Sequence, residues 1–193
     1  MREKGLVEFL DALADRSPTP GGGSAAALTG ALGAALGLMA LRFSKLEDSS
    51  PFESRLEQIR ARMTRLIDED AAAYEQVSQA YKLPKSTDAE KQARTRAIQD
   101  ASRSAAQAPL EGMRQAVDGL TVVKALAPQC NKNLITDLAS SVILLHAAGI
   151  MFGLNVDINV AALKEPRDLG GESSRLRAAL GALKSETERL YEV

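Results

Sequence analysis

An uncharged run from Gly21 to Leu41 constrains the fold of this chain more than any other part of the sequence. Alanine, leucine and glycine dominate it, so the chain must bury the run or place it in a membrane. The many small residues favour a buried central helix, because they let another helix approach closely. We therefore predict that no segment spans a membrane.

The residues before this run, Pro18-Thr-Pro-Gly-Gly-Gly-Ser24, predict a loop that opens directly into the helix. The prolines disfavour helix before Gly21, and the glycines leave backbone N–H groups uncovered at the helix start. Such an N-terminus is suited to an anion or an oxyanion. A structural loop with Ser24 as the helix cap explains the same residues equally well. No Lys-Ser or Lys-Thr pair follows the glycines, which excludes a Walker loop.

Length and composition narrow the class of protein. The 193 residues suit one domain over 1–193, and 24 basic and 25 acidic residues give no sign of a nucleic-acid partner. One histidine, His146, and one cysteine, Cys130, are too few soft ligands for zinc, and we predict no metal. The lone cysteine and the lack of a recognisable signal peptide indicate a cytoplasmic protein.

Apolar spacing and capping residues predict helices along the whole chain. The first three helices are predicted to end near Ala14, Phe43 and Tyr81. Two capping boxes, Ser50–Glu53 and Thr87–Glu90, mark the starts of the third and fourth helices.

Pro109 should interrupt the fourth helix. A long apolar helix follows from about Leu134, reaching at most Leu163, then a loop over Glu165–Gly171 and a last helix marked by leucines from Leu176 to Leu190.

No stretch alternates with the period of a strand, so the sequence predicts an all-α fold, an antiparallel helical bundle. Its two central helices are unusually apolar, although a bundle of this length needs only one fully buried helix. The second such helix, and the stripe of Gly30, Gly33 and Gly37, predict a homodimer with a helix-to-helix interface.

Polar residues on the long apolar helix are candidates for chemistry, because burying them unpaired is costly. Asp137 lies in its first turn, where the helix dipole stabilises a charge, and a purely structural acid is an equal alternative. Asn155 and Asn159 are four residues apart and share a face. Asp137 points the same way as Asn155 but about 27 Å away along the axis. Asp137 and Asn155 therefore either bind opposite ends of an elongated ligand, belong to separate sites, or come together in a site that a partner subunit completes.

Two further polar residues, a loop lysine and the histidine, have positions that suggest different roles. Lys85 follows Pro84 in a short loop, and a loop lysine can reach into a cleft. His146 lies among apolar residues and is better explained as a core or interface histidine than as a catalytic one.

Three blocks resemble, in order, the cyclodeaminase/cyclohydrolase family, the C-terminal domain type of formiminotransferase-cyclodeaminase. They are FLDALADRSPTPGGGSAAALTGALGAALGLMA, LPKSTDAEKQARTRAIQDASRSAAQAPL and NKNLITDLASSVILLHAAGIMFGLNVDINV. The resemblance covers about residues 5 to 190. Thr136 departs mildly from it, because a serine commonly precedes the aspartate. The resemblance implies an all-helical domain whose site lies at a dimer interface.

The resemblance also implies a folate one-carbon enzyme, either a methenyltetrahydrofolate cyclohydrolase or a formimidoyltetrahydrofolate cyclodeaminase. It implies no cofactor beyond the tetrahydrofolate substrate. The candidate catalytic residues are Asp137, for proton transfer, and Lys85, as an acid or a group that binds a carboxylate. The implied substrate-binding residues are Gly21, Gly22, Gly23, Ser24, Asn131, Asn155 and Asn159.

A non-catalytic helical dimer that uses its apolar faces for interaction is the alternative from another class. Such a scaffold has no need of the glycine loop, Lys85 and Asp137 together, so the sequence favours the enzyme.

Overall fold

The computed structural model describes residues 5–189, and in that range it is helical without a strand. The all-α prediction is therefore confirmed. The helices are α1 (Leu6–Ala14), α2 (Gly22–Arg42), α3 (Ser50–Lys82), α4 (Asp88–Ala105), α5 (Gln107–Leu126), α6 (Ile135–Ala161) and α7 (Arg167–Glu188). Two short 3-10 turns, Ala127–Gln129 and Lys132–Leu134, connect α5 to α6. Leu190, the last of the leucines that mark the predicted final helix, lies outside the described residues.

The predicted ends of the first three helices agree with the structure to within one residue. The second predicted capping box is also confirmed. Thr87 Oγ1 accepts the Glu90 N–H at 3.2 Å, and Glu90 Oε2 accepts the Thr87 N–H at 2.9 Å. Reciprocal bonds of this kind satisfy N–H groups that the first turn leaves open.

The first predicted capping box, at Ser50 and Glu53, is wrong. The N-cap of α3 is Ser49, and the Ser50 N–H donates to Asp48 Oδ1 at 3.0 Å. The Glu53 carboxylate instead accepts a hydrogen bond from Arg42 at the end of α2, at 2.8 Å. A long-range ion pair thus takes the side chain that the local pattern assigned to the cap.

The predicted loop over Glu165–Gly171 is also wrong, because α7 already begins at Arg167. Pro166 occupies the N-cap position, and its carbonyl accepts the Gly170 N–H at 2.9 Å. Proline suits a helix start, since its φ is preset. The two glycines that suggested a loop lie in the first turns of α7.

Helices α2 and α6 form the centre of the fold and run antiparallel. The start of α2 faces the end of α6, because Gly22 lies beside Asn155, and further along Gly37 lies beside Ser141. Ser141 Oγ donates to the carbonyl of Gly33 at 2.7 Å and ties the two helices together. Helices α3 and α5 pack on this pair and complete the core.

The glycine stripe on α2 serves this internal packing, which corrects its predicted place in a dimer interface. Added Cβ atoms would meet Met63 at Gly30, Leu145 at Gly33 and Ser141 at Gly37, at 2.8, 2.9 and 3.2 Å. All three contacts are within one chain. The stripe is therefore no evidence for a dimer.

Two segments, Gly22–Arg42 and Lys132–Ala161, are long and apolar enough to cross a membrane by length and composition alone. The apolar window of the first is 56% buried, as expected of a core helix, whereas that of the second is 33% buried. Helix α6 therefore keeps an uncovered apolar side.

Candidate active site

A cavity of about 420 Å³ opens where the N-terminus of α2 meets α3, the end of α4 and the C-terminal part of α6. Gly21 and Gly22 line it from α2, Asp70 from α3, and Asn155 and Asn159 from α6. A volume of this size is typical of sites for small organic ligands. The structure thus brings four of the predicted binding residues into one cavity.

A groove of similar volume between α3 and α5 has a different character. Its charged residues already pair with one another: Arg62 with Glu69 at 2.5 Å, and Arg114 with Glu111 at 3.2 Å. Charges that are satisfied internally offer little to a ligand, so the cavity at α2 is the better candidate.

The glycine loop enters the helix without a side-chain cap. Gly21 is the N-cap, and its carbonyl accepts the Ala25 N–H at 3.0 Å. Ser24 lies in the first turn of the helix, three residues after the N-cap, and is fully buried, so the alternative in which Ser24 caps α2 is wrong. Its Oγ donates to the Ile67 carbonyl of α3 at 2.9 Å and lies 3.4 Å from Asp70 Oδ2. The N–H groups of Gly22 and Gly23 point toward the N-terminal end of α2, which borders the cavity, whereas the Ser24 N–H donates to Asp70.

Asp70 takes the place beside α2 that a capping side chain would fill. Its carboxylate accepts the backbone N–H of Ser24, and its Oδ2 shares the Ser24 hydroxyl proton with the Ile67 carbonyl; both contacts favour the ionised form. Desolvation by burial is the larger effect, and it raises the pKa of Asp70 above that of an ordinary aspartate.

The side-chain amide groups of Asn155 and Asn159 both donate hydrogen bonds to backbone carbonyls. Asn155 Nδ2 donates to Met151 O at 2.9 Å, and Asn159 Nδ2 donates to Asn155 O at 2.9 Å. Among residues 5–189, neither Oδ1 accepts a hydrogen bond. The pair therefore offers the cavity two hydrogen-bond acceptors.

Pro109 explains a further contact of Asn159. Because Pro109 has no N–H, it cannot donate to the carbonyl of Ala105 four residues earlier, and α4 gives way to α5 at this point. Asn159 Nδ2 approaches that carbonyl at 3.4 Å. The predicted interruption at Pro109 is confirmed, and it places a backbone carbonyl at the cavity wall.

Two tyrosines of α3, Tyr74 and Tyr81, form the aromatic side of the cavity and are about half exposed. Arg94 of α4 steadies the second of them. Its guanidinium lies 5.5 Å from the ring centroid of Tyr81 and donates to the Tyr81 carbonyl at 3.0 Å. Such flat faces suit a ligand with aromatic rings.

Five predicted site residues do not line the cavity. Gly23 and Ser24 follow the lining glycines in the first turn of α2, where both are buried. The other three, Lys85, Asn131 and Asp137, lie outside α2. Lys85 is exposed on the connection between α3 and α4, four residues beyond Tyr81. Asn131 binds backbone at the other end of α2, where its Nδ2 donates to Phe43 O at 3.0 Å and its Oδ1 accepts the Asn133 N–H at 3.0 Å. Asp137 is half-buried in the first turn of α6, near Cys130, whose pKa is raised mainly by burial and also by the Asp137 charge.

His146 lies midway along α6, half-buried and away from the cavity. Burial lowers the pKa of its imidazole, and the charge of Lys184 on α7 lowers it further. Its position agrees with the prediction of a core or interface histidine.

Asp70, Tyr74 and Tyr81 were not predicted as site residues from the sequence. A signal for the first was present, because Met63, Ile67, Asp70, Tyr74 and Val77 recur at the spacing of one helix face. A carboxylate on the apolar face of a helix must be explained by a partner or by a function.

The comparisons with known proteins agree with this architecture. The family model described as formiminotransferase-cyclodeaminase matches residues 5–169. The chain belongs to this family. A methenyltetrahydrofolate cyclohydrolase of Methylorubrum extorquens is 34% identical over 97% of this chain and 94% of its own length.

Other relatives are named for a different activity. A formimidoyltransferase-cyclodeaminase of Gallus gallus is 31% identical over 86% of this chain, but the match spans only 33% of that longer protein. The crystal structure of a formiminotetrahydrofolate cyclodeaminase from Thermotoga maritima superposes with a TM-score of 0.85 at 28% identity. That match covers 98% of this chain and 96% of the other. Both activities thus occur among proteins that match the whole chain.

Proposed function

We propose that this protein is a folate one-carbon enzyme acting at the N5/N10 bridge of tetrahydrofolate, as a methenyltetrahydrofolate cyclohydrolase or a formimidoyltetrahydrofolate cyclodeaminase. The observation that carries the proposal is the cavity at the start of α2. There the glycine loop of the family faces the two asparagines and the half-buried carboxylate of Asp70. A non-catalytic scaffold has no use for this arrangement.

The two reactions make the same demands on a site. In cyclohydrolysis, water attacks the carbon of the methenyl cation and the ring opens to 10-formyltetrahydrofolate. In cyclodeamination, N10 attacks the formimino carbon and ammonia leaves. Both pass through a tetrahedral carbon between nitrogens, and both move protons in and out.

The cavity offers groups for the parts of a folate. The asparagine Oδ1 atoms accept N–H groups of the pterin, and the N–H groups at the start of α2 donate to ligand oxygens. Tyr74 and Tyr81 stack on aromatic rings of the ligand. Lys85, beyond Tyr81 on the exposed connection, binds carboxylates of the glutamyl end. We expect no cofactor besides the folate and a cytoplasmic location.

The absorbance of 5,10-methenyltetrahydrofolate tests the proposal. The purified protein should accelerate its loss, or else accelerate its formation together with ammonia from 5-formimidoyltetrahydrofolate. Assaying both substrates on one preparation distinguishes the two enzymes. A protein that accelerates neither reaction would contradict the proposal.

A homodimer is the second part of the proposal. Ile143 and Leu154 on α6 are eleven residues apart, or about three turns, and so share one side of the helix. The same spacing relates Leu32 on α2 to Phe43 at its C-cap. All four side chains are more than half exposed. Because α2 and α6 pack side by side, with α3 mainly against α2 and α5 mainly against α6, their exposed apolar residues form one surface away from the core. A second copy of the chain is the partner that covers it.

Replacing Ile143 with aspartate should disperse this dimer, since the charge would be buried unpaired between the subunits. Ile143 is 56% exposed in the single chain, so the monomer should keep its helical circular dichroism. Light scattering at micromolar concentration measures the change. Leu83→Asp, at an exposed leucine between α3 and α4, is the matched control and should remain dimeric. A monomeric wild-type protein would refute the dimer.

The direction of the two-fold axis decides whether Asp137 serves the cavity. The Asp137 and Asn155 ends of α6 are eighteen residues apart, about 27 Å. A two-fold axis lying across the helices reverses them between subunits, so the partner subunit's Asp137 would approach the cavity of the first. We propose this arrangement, because it unites all the predicted site residues.

A further inference from the structure

Asp70 has a position that a structural role alone does not explain. It lies on the apolar side of α3, one turn after Ile67 and one turn before Tyr74, and it lines the cavity. Its carboxylate contacts the first turn of α2 through Ser24. One group therefore touches both the helix start and the space in which a ligand would bind.

The Asp70 carboxylate lies so close to Gly23 that no side chain fits at that position. A Cβ atom built on Gly23 would lie 2.0 Å from Asp70 Oδ1 and 2.4 Å from its Cγ. A Cβ on Gly22 would lie 3.6 Å from the nearest atom, Asn155 Nδ2, which is ordinary contact. Gly23 therefore leaves the space that the Asp70 carboxylate occupies, whereas Gly22 is not needed for this purpose.

No cation balances Asp70 in the described part of the cavity. Among the residues that line it there is no lysine, arginine or histidine, and Asp70 is the one carboxylate. Its hydrogen-bond partners among the described residues are the N–H and hydroxyl groups of Ser24. A partly desolvated carboxylate without a counter-ion is matched by a cationic ligand, and the methenyl group carries such a charge.

We infer that Asp70 is the carboxylate that accepts and returns the proton in the reaction, a role that rests on the proposed function. In cyclohydrolysis, the water oxygen bonds to the methenyl carbon, the carbon–nitrogen π electrons return to nitrogen, and Asp70 takes a water proton. The bond from carbon to N5 then breaks as the adduct's hydroxyl proton leaves to solvent, and Asp70 gives its proton to N5. The sum consumes one water and releases one proton.

The same carboxylate serves cyclodeamination without change. N10 bonds to the carbon of the protonated formimino group, and Asp70 takes the proton from N10. It passes that proton to the departing nitrogen, which leaves as ammonia, and the methenyl cation remains. Burial raises the pKa of Asp70 toward the range in which a carboxyl both accepts and donates.

The substitution Asp70→Asn tests the inference on whichever substrate the wild-type protein turns over. Turnover should fall at least a hundredfold, because the amide keeps the shape but accepts no proton. Binding of the folate, followed by its effect on the melting temperature, should persist. Glu75→Gln is the matched control, an exposed carboxylate one turn further on α3, and should keep the wild-type rate.

Two further variants keep the inference testable if Asp70→Asn fails to fold. Gly23→Ala should displace the carboxylate without removing it and lower turnover at least tenfold, since its Cβ occupies the carboxylate's place. Asp70→Ala should regain activity with added formate, an effect that neither the wild type nor Glu75→Gln shows.

The outcomes separate this inference from the proposed function. An active wild-type protein whose Asp70→Asn variant keeps more than a tenth of the rate would overturn the role of Asp70 alone. A wild type that turns over neither folate would instead refute the function.

Discussion

Gly33→Leu should destabilise the folded chain by about 2 kcal/mol or more, through overpacking at the crossing of the two central helices. A Cβ at Gly33 would lie 2.9 Å from Leu145 Cγ and 3.1 Å from the backbone nitrogen of the same residue. A side chain can turn away from such a contact, but the backbone of α6 cannot move without disturbing α5 and α7. The effect is a large fraction of the 5–15 kcal/mol that stabilises a typical domain.

Urea unfolding followed by circular dichroism measures this change. Gly181→Leu is the matched control, because Gly181 lies within α7 and an added Cβ there has no atom within 4 Å. It should be neutral or slightly stabilising, since leucine is the better helix former. If Gly33→Leu left the unfolding midpoint unchanged and only dissociated a dimer, the glycine stripe would belong to the interface after all.

Asp137→Asn should lower turnover at least a hundredfold if the partner subunit's Asp137 completes the site, while the melting temperature changes little. As a helix-end acid alone, Asp137 contributes about 0.3–1 kcal/mol through the dipole of α6, and its loss would leave turnover nearly intact. Rate and melting temperature measured on one preparation separate the two roles. A variant that keeps more than a tenth of the rate would assign Asp137 to structure.

Mixing two inactive variants gives the sharper test of a shared site. If the site takes Asp70 from one subunit and Asp137 from the other, each mixed dimer of Asp70→Asn with Asp137→Asn has one intact site. Random pairing should then restore about one quarter of the wild-type activity. If both residues belonged to a site within one subunit, mixing would restore nothing.

The helices and the cavity's main components could be predicted from local patterns. The glycine loop was expected to open the uncharged helix, and Asn155 and Asn159 were expected to share a face; both expectations agree with the structure. These features depend on proline and glycine chemistry and on the period of the helix. Each acts within a few residues of the chain.

The features that were missed or misassigned depend on contacts between distant residues. The Glu53 side chain leaves its predicted cap for Arg42, and the stripe on α2 packs on its own chain. Asp70 approaches Ser24 across 46 positions of sequence. Helical periodicity gives the direction of a side chain around its own helix, but it does not say which other helix lies there.

The sequence by itself determined that this chain is helical, that α2 and α6 are the central elements, and that an open helix N-terminus follows the glycine loop. Periodicity, capping and charge are local properties, so they can be read without knowing the fold. Only the tertiary structure decided that α6 ends beside the start of α2, and that Asp70 rather than Asp137 meets that helix start in the same chain. Those facts follow from the packing of whole helices, in which the antiparallel pairing of α2 and α6 places the two ends of α6 at opposite ends of the molecule.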